Sequence, residues 1–599
     1  MHHTFHIPVL GLGFSIDTPL KVARYGIASV VSIVDDELIE RMYKYHAGKH
    51  DRPYTEIGKH EPDHRARRIT RYLNLLNELV NEQFEALRSG SFGEDGDLTR
   101  YFDLLPDQSL LKRRYLAMLA EEDPGQRAEL QAELRRSLRR GAIDVNIMSK
   151  VDKINYRKDG TPLGEEFTDA LASLRGFACS DLDSSVVLSA GMNPRLYSAL
   201  EQYPDFFPGE DGTFRKKIML KVSDFRSALI QAKFLAKKGL WVSEFRIESG
   251  LNCGGHAFAT EGYLLGPVLE EFRSKRQELL LEMFTIYQHA LRSRGTEIRA
   301  TPDLRVTVQG GIGTAGEDHF LLNHYQLDGT GWGSPFLLVP EVTNVDAETL
   351  DDLASATPDD FYISGASPLG VPFNNFRKSG AEKQRLARIA AGRPGSPCTK
   401  KFLVSDTEFT DLPICTASRE YQNLKIRQLD GLGLDEREYR KRFDEITEKT
   451  CLCVGLTTSA YLKNGMLKPR ESKAVSICPG PNLAFFSGTH TLEEMVGHIY
   501  GRISLITSRR SHMFINELNL YIDYLKKDLG VSLAGFTEKK QKQLSRFRDQ
   551  LLQGIRYYRD LLPDLAETFG STEDLERDLF RGEVLLNALE IPVPEAARL

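Results

Sequence analysis

Long apolar runs are missing from the 599 residues. None approaches the ~20 residues needed to span a bilayer. The best candidate, residues 25–34, is interrupted by Ser29 and Ser32, so no membrane partner is expected. Cysteine is scarce: seven residues, odd in number and unevenly placed. That excludes a disulfide framework and makes a reduced, cytoplasmic chain the expectation. An excess of one charge is absent too, with 78 Lys and Arg against 84 Asp and Glu and a net charge of -6. Such a balance argues against a broad electrostatic footprint for nucleic acid. The opening MHHTFHIPVLGLGF lacks the basic region and small-residue cleavage site of a signal peptide. There is no internal repeat and no low-complexity tract. What is present, 41% hydrophobic and 27% charged residues, excludes a disordered or collagen-like chain. At roughly 150 residues per domain the length corresponds to about four domain-sized units, or one large barrel with additions.

Residues 5–10 are apolar, Gly11 and Gly13 punctuate, and Asp17-Thr18-Pro19 marks a helix start. Residues 5–34 therefore read as strand, glycine loop and helix. Residues 36–141 are charged, rich in Leu and Arg, and helical in period, as in RRITRYLNLLNELVNEQFEALR. They read as a helical insertion after the first βα unit. The Arg runs at 135–140 and 509–510 read as solvated helix faces. Strand-like runs at 142–148, 185–189, 217–222, 241–247 and 305–308, then the glycine-rich LDGTGWGSPFLL, alternate with helices. That alternation predicts a parallel sheet. Loops with functional residues consistently follow the strands, which predicts an α/β (β/α)8 TIM barrel over 1–345. Eight strands cannot be counted from the pattern. Residues 346–488 are loop-rich and hold five cysteines, and 489–599 return to amphipathic helices; together they form a Cys-containing, largely helical C-terminal extension.

Two segments carry chemistry. In VQGGIGT (308–314) a strand ends on glycines and a helix follows. Gly310 and Gly311 expose backbone N–H groups, and the helix N-terminus adds its positive dipole end. Gly333 and Ser334, in GTGWGSPF, could complete a phosphate cup, as barrels bind phosphate after strands seven and eight. In ESGLNCGGHA (248–257), Gly254 and Gly255 permit close approach to a flat ligand. His256 then offers a group that titrates near neutrality.

The order GGH, GGI, then a glycine-rich strand ending GSPFL resembles the nitronate monooxygenase (2-nitropropane dioxygenase) family of FMN-dependent TIM barrels, which includes flavin-type enoyl reductases. The resemblance covers roughly 5–30 and 142–345. It implies FMN across the barrel mouth, a small-molecule substrate, and His256 as catalytic base. It implies Gly310, Gly311, Gly333 and Ser334 at the FMN phosphate, with Gly254 and Gly255 against the ring. Asn146, in VNIM, and Lys221, in LKV, stand where the family has strand-end polar residues facing the flavin. Gly11 and Gly13, in LGLGFSIDTP, stand where the family has a Met-containing flavin contact. Asn252 and Cys253 replace residues that are acidic or small in many relatives, which leaves open a substrate other than a nitronate.

Cys415, Cys451, Cys453 and Cys478 lie in the contexts LPICTAS, EKTCLCVGL and SICPGPN. They are candidate ligands for an iron–sulfur cluster or zinc; buried apolar thiols are the other reading. With a cluster, the chain would be a flavin/iron–sulfur electron-transfer protein with a redox partner or a second copy of itself. Without flavin, the cup would serve a phosphate-binding lyase or isomerase, with Lys150, Lys153 or Lys221 forming a Schiff base.

Overall fold

The computed structural model describes residues 3–93, 96–148, 152–157, 159–189, 191–257, 261–530 and 537–592. Eight strands close into a barrel: β1 (Phe5–Ile7), β2 (Ala28–Ser32), β3 (Ile143–Ile147), β4 (Ser184–Leu188), β5 (Lys216–Val222), β6 (Val242–Glu248), β7 (Arg305–Gln309) and β8 (Gly329–Gly331). All neighbours are parallel, and β8 returns to β1 through Phe5↔Thr330 and His6↔Gly331. This is the (β/α)8 barrel that the strand–helix alternation predicts.

The strand that the pattern concealed is β2. Residues 25–34 read as part of a helix, because a short apolar run fits either element. Gly26, at φ 82°, ends the turn Ala23–Tyr25, and the β-branched Val30 and Val31 then run between β1 and β3. The helical insertion therefore follows the second strand, not the first βα unit. It contains the helices Asp36–Lys49, His64–Ser89, Asp97–Leu104, Leu110–Ala120 and Pro124–Ser137.

Side chains alternate between the two faces of each strand. Ile7, Val31, Val145, Val186, Leu220, Phe245 and Val306 join the large core beneath the surrounding helices. Val30, Val187 and Met219 form a separate cluster inside the barrel, with Val9 against it. Beyond β8, an antiparallel hairpin, β9 (Phe361–Ser364) and β10 (Phe373–Phe376), is followed by helices. Helices Met513–Gly530 and Glu538–Asp560 pack on the long helix Leu265–Ser293. Their Leu518, Tyr521, Leu551 and Ile555 belong to the same core as the barrel. Among the described residues, no helix is long and apolar enough to cross a membrane.

Candidate functional site at the barrel mouth

The inward register of β3, β5, β6 and β7 places Asn146, Lys221, Glu248 and Gln309 at the C-terminal ends of the strands. Lys221 Nζ pairs with Glu248 Oε2 at 2.6 Å. The Gln309 amide donates to Glu248 Oε1 at 3.0 Å. The Lys221 and Glu248 side chains are 24% and 16% exposed, so the pair is reachable from the mouth. One layer deeper, Glu244 is 1% exposed and bonded to Arg246, Arg305 and Thr307. Burial would raise its carboxyl, but Arg246 and Arg305 prevail and hold it at about 2. Burial and Arg246 push the His6 imidazole down to about 3, so it stays neutral.

The loop after β6 is fixed to the segments beyond the barrel. Asn252 donates to the His256 carbonyl at 2.6 Å and accepts from Gly254 N–H and Asn374, both at 2.9 Å. Gly255 N–H donates to the Cys478 carbonyl at 3.0 Å. His256 is half-buried; its Nε2 lies 2.7 Å from Ser367 Oγ, and its ring meets Phe373 edge-on at 5.3 Å. Gly254 has φ +124°, and a Cβ there would strike the Cys478 carbonyl. Gly254→Ala is therefore expected to cost about 1–3 kcal/mol, read as a lower urea midpoint; an unchanged midpoint would show that the loop yields.

Glu517, on the helix Met513–Gly530, braces the same loop. It accepts from Leu265 N–H at 2.8 Å, and nearby Tyr521 Oη accepts from Gly250 N–H at 2.9 Å. Burial pushes the Glu517 carboxyl up to about 7. Its unfolded value lies near 4.3, so between the two the folded state holds the extra proton. Stability from this group is complete below the unfolded value and falls as pH rises through that window. Glu517→Gln should flatten the decline in melting temperature between about pH 4.5 and 7; an identical slope would exclude this carboxyl as its source.

The loop after β7 is held from outside. Arg510 donates to the Gly311 carbonyl at 2.6 Å and to Asn482 Oδ1 at 2.8 Å. Asn482 donates to the Ile312 carbonyl at 2.7 Å. Glu317 accepts from Gly313 N–H at 2.8 Å and pairs with Arg510 at 2.6 Å. A trans peptide points its N–H opposite its C=O, so anchoring the Gly311 carbonyl on Arg510 turns the Ile312 N–H away from that side. The Ser334 hydroxyl donates to the Cys253 carbonyl at 2.9 Å and accepts from Gly480 N–H at 2.7 Å. Gly311, Ile312, Gly333 and Ser334 are buried residues whose N–H groups have no acceptor among the described residues. Four such amides on two adjacent strand ends fit the oxygens of a phosphate, so the residues present fit the phosphate end of FMN.

The other expected positions have different neighbours. Gly310 and Gly311 pack on Leu251 and Asn252, and Gly333 packs on Cys253, so the loops after β6, β7 and β8 meet. Gly11 lies on the Phe14 ring. Gly13 donates to the Leu456 carbonyl at 3.0 Å, which sets the helix Leu452–Lys463 over the loop after β1. Lys150 lies outside the described residues, Lys153 stacks on Phe402, and Lys221 is engaged by Glu248.

The metal expectation is corrected. Cys415 packs with Cys398 and Ala417, whereas Cys453 and Cys478 belong to another cluster, with Leu403, Leu452 and Phe373, which Cys451 borders. Among the described residues no three His, Cys, Asp or Glu side chains are grouped to hold a metal. Burial pushes the Cys453 and Cys478 thiols up to about 12, away from the thiolate a metal requires. The Arg509–Arg510 reading is half corrected: Arg509 is 79% exposed, but Arg510 is 3% exposed and central to the site. Glu248, Gln309, Ser367, Asn482 and Arg510 were not singled out from sequence. The first two carried a signal, since they occupy inward positions at strand ends.

No family model and no curated protein matches the chain. Among solved structures it is similar to FabK from Thermotoga maritima, at 12% identity over 68% of this chain and 84% of that one, with a TM-score of 0.29. It is also similar to the enoyl reductase domain of MlnA from the macrolactin biosynthesis cluster of Bacillus amyloliquefaciens, at 13% identity over 67% and 88%, with a TM-score of 0.32. A third is nitroalkane oxidase from Streptomyces ansochromogenes, at 10% identity over 63% and 85%, with a TM-score of 0.29. The barrel itself is read from the strand pairing.

Proposed function

We propose that this chain is an FMN-dependent oxidoreductase acting on a small molecule at the barrel mouth. The observation that supports the reading best is the set of four acceptor-free amides, Gly311, Ile312, Gly333 and Ser334, packed beside the Gly-Gly-His loop. Those amides would hold the phosphate, with Arg510 fixing the direction of the Ile312 amide from behind. Asn146 and the Lys221–Glu248 pair supply polar groups at the mouth. Bound FMN supplies two-electron redox chemistry. His256 would take a proton from the substrate, in an orientation set by Ser367 and Phe373.

The visible spectrum of the purified full chain after incubation with FMN tests this reading. Flavin bands that persist through gel filtration are expected, and a colourless protein that retains no FMN overturns it. Bleaching of the bound flavin by NADH or NADPH would mark enoyl-reductase chemistry, and bleaching by propyl nitronate would mark the nitronate type.

A further inference from the structure

A second cavity, of about 560 Å³, lies behind the helix Leu452–Lys463. Leu456 and Ala460 face Gly13 and the barrel, whereas Val454, Thr458 and Tyr461, at helical spacing on another face, line the cavity. Its other walls come from the helix Gly380–Ala390 and from residues 395–400, 449–451 and 467–476. A cavity this size takes an organic molecule rather than a bare ion.

Charge decides which kind. Arg385, Arg388, Lys400, Lys449 and Arg470 line the cavity against only Glu37 and Glu471. Both glutamates are taken by Arg41. Asp35 takes Lys400, and Glu382 takes Arg385. Among the described residues, no carboxylate lies within ion-pair distance of Arg388, Lys449 or Arg470. Lys449 Nζ donates only to the carbonyls of Gly365, at 2.7 Å, and Ser367, at 3.2 Å. Burial and the neighbouring Arg419 push the Arg388 guanidinium down, as for a cation that lacks its counter-charge. Tyr461 and Ser476 line the same cavity, and their hydroxyls are buried without a hydrogen bond among the described residues. Their residues are 3% and 5% exposed. A buried hydroxyl left without a partner costs free energy, and these two stand beside the half-buried Arg388 and Lys449, with the exposed Arg470 also in the wall.

We propose that this cavity binds a small organic anion, a carboxylate or a phosphate ester, with its charged end met by Arg388 and Lys449 and its polar atoms by Ser476 and Tyr461. A guanidinium presents the same fork of donors to either group. The inference does not rest on what occupies the barrel mouth, although the two sites adjoin: Lys449 donates to the carbonyl of Ser367, whose hydroxyl lies against His256.

The cavity contains its own reporter. Cys398 lies in its wall with φ 49°. A hydrogen bond with Cys415, against the opposing effect of burial, lowers the Cys398 thiol and so favours its thiolate. That thiolate displaces iodide from iodoacetate or iodoacetamide, forming a thioether. Cys179 is exposed and serves as the internal control. In the full chain, the ratio of the iodoacetate to the iodoacetamide rate should be about tenfold higher at Cys398 than at Cys179, read by peptide mass spectrometry. Arg388→Met should bring the ratio to the Cys179 level, and Arg388→Lys should keep most of it. Added salt should lower it in the unmutated chain, which keeps the test valid if Arg388→Met does not fold. Hexanoate or inorganic phosphate should shield Cys398 from the neutral iodoacetamide, the first marking a carboxylate ligand and the second a phosphate ester. Equal ratios at the two cysteines, or no shielding by either anion, overturn the proposal.

Discussion

His256→Asn is expected to keep FMN and lose about 10²–10⁴-fold in turnover, the range general base catalysis contributes. The two effects separate because different groups cause them. On the proposed reading, retention of the flavin would rest on backbone amides after β7 and β8, which a substitution at residue 256 leaves in place. The bonds of Asn252 and Asn374 that hold the loop do not use the His256 side chain, so the loop keeps its shape. What disappears is the imidazole that would take the proton. Flavin content by absorbance and initial rates on the same preparation make the comparison. Turnover within a factor of two of the parent would remove His256 from the reaction. Ser367→Ala should act more weakly and on kcat rather than KM, because Ser367 orients the ring.

Arg510→Met should destabilise the fold by about 3–5 kcal/mol, the cost of leaving a buried charge without its partner. Arg510 and Glu317 are 3% and 2% exposed, so water cannot replace the lost guanidinium. Burial raises the Glu317 carboxyl, and Arg510, as its strongest opponent, keeps it ionised. Adding Glu317→Gln to Arg510→Met should recover part of the loss, since it removes the stranded charge. Urea denaturation of the single and double variants measures both terms. A single-variant loss below about 1 kcal/mol would show that the pair contributes no more than an exposed one. FMN affinity should fall as well, because the Gly311 carbonyl loses its anchor and the Ile312 amide its direction.

The two substitutions also mark how far the sequence can be read. Seven of the eight strands stand out as apolar runs between turn residues, and the glycines after β6, β7 and β8 betray the loops that meet at the mouth. Asn146 and Lys221 follow from the resemblance, which puts polar residues at strand ends. β2 escaped because an apolar stretch of its length is compatible with a helix, and only its neighbours β1 and β3 select the extended form. The cysteines misled because a thiol in an apolar cluster and a thiolate ligand have the same one-letter code. Packing, visible only in three dimensions, puts Cys415 with Cys398 and leaves Cys453 and Cys478 elsewhere. Ser367 and Arg510 carry no local mark. They matter through partners 111 and 193 residues away, and no periodicity reaches that far.

That last separation has a consequence during synthesis. Glu317 emerges from the ribosome 193 residues before Arg510, which at ~5–20 residues per second is an interval of roughly 10–40 s. Throughout it, a carboxylate destined for the interior has no counter-ion, so the glycine loop it organises cannot settle until Arg510 has been made. The strands that close the barrel, β1 and β8, are made long before the guanidinium that fixes its glycine loop.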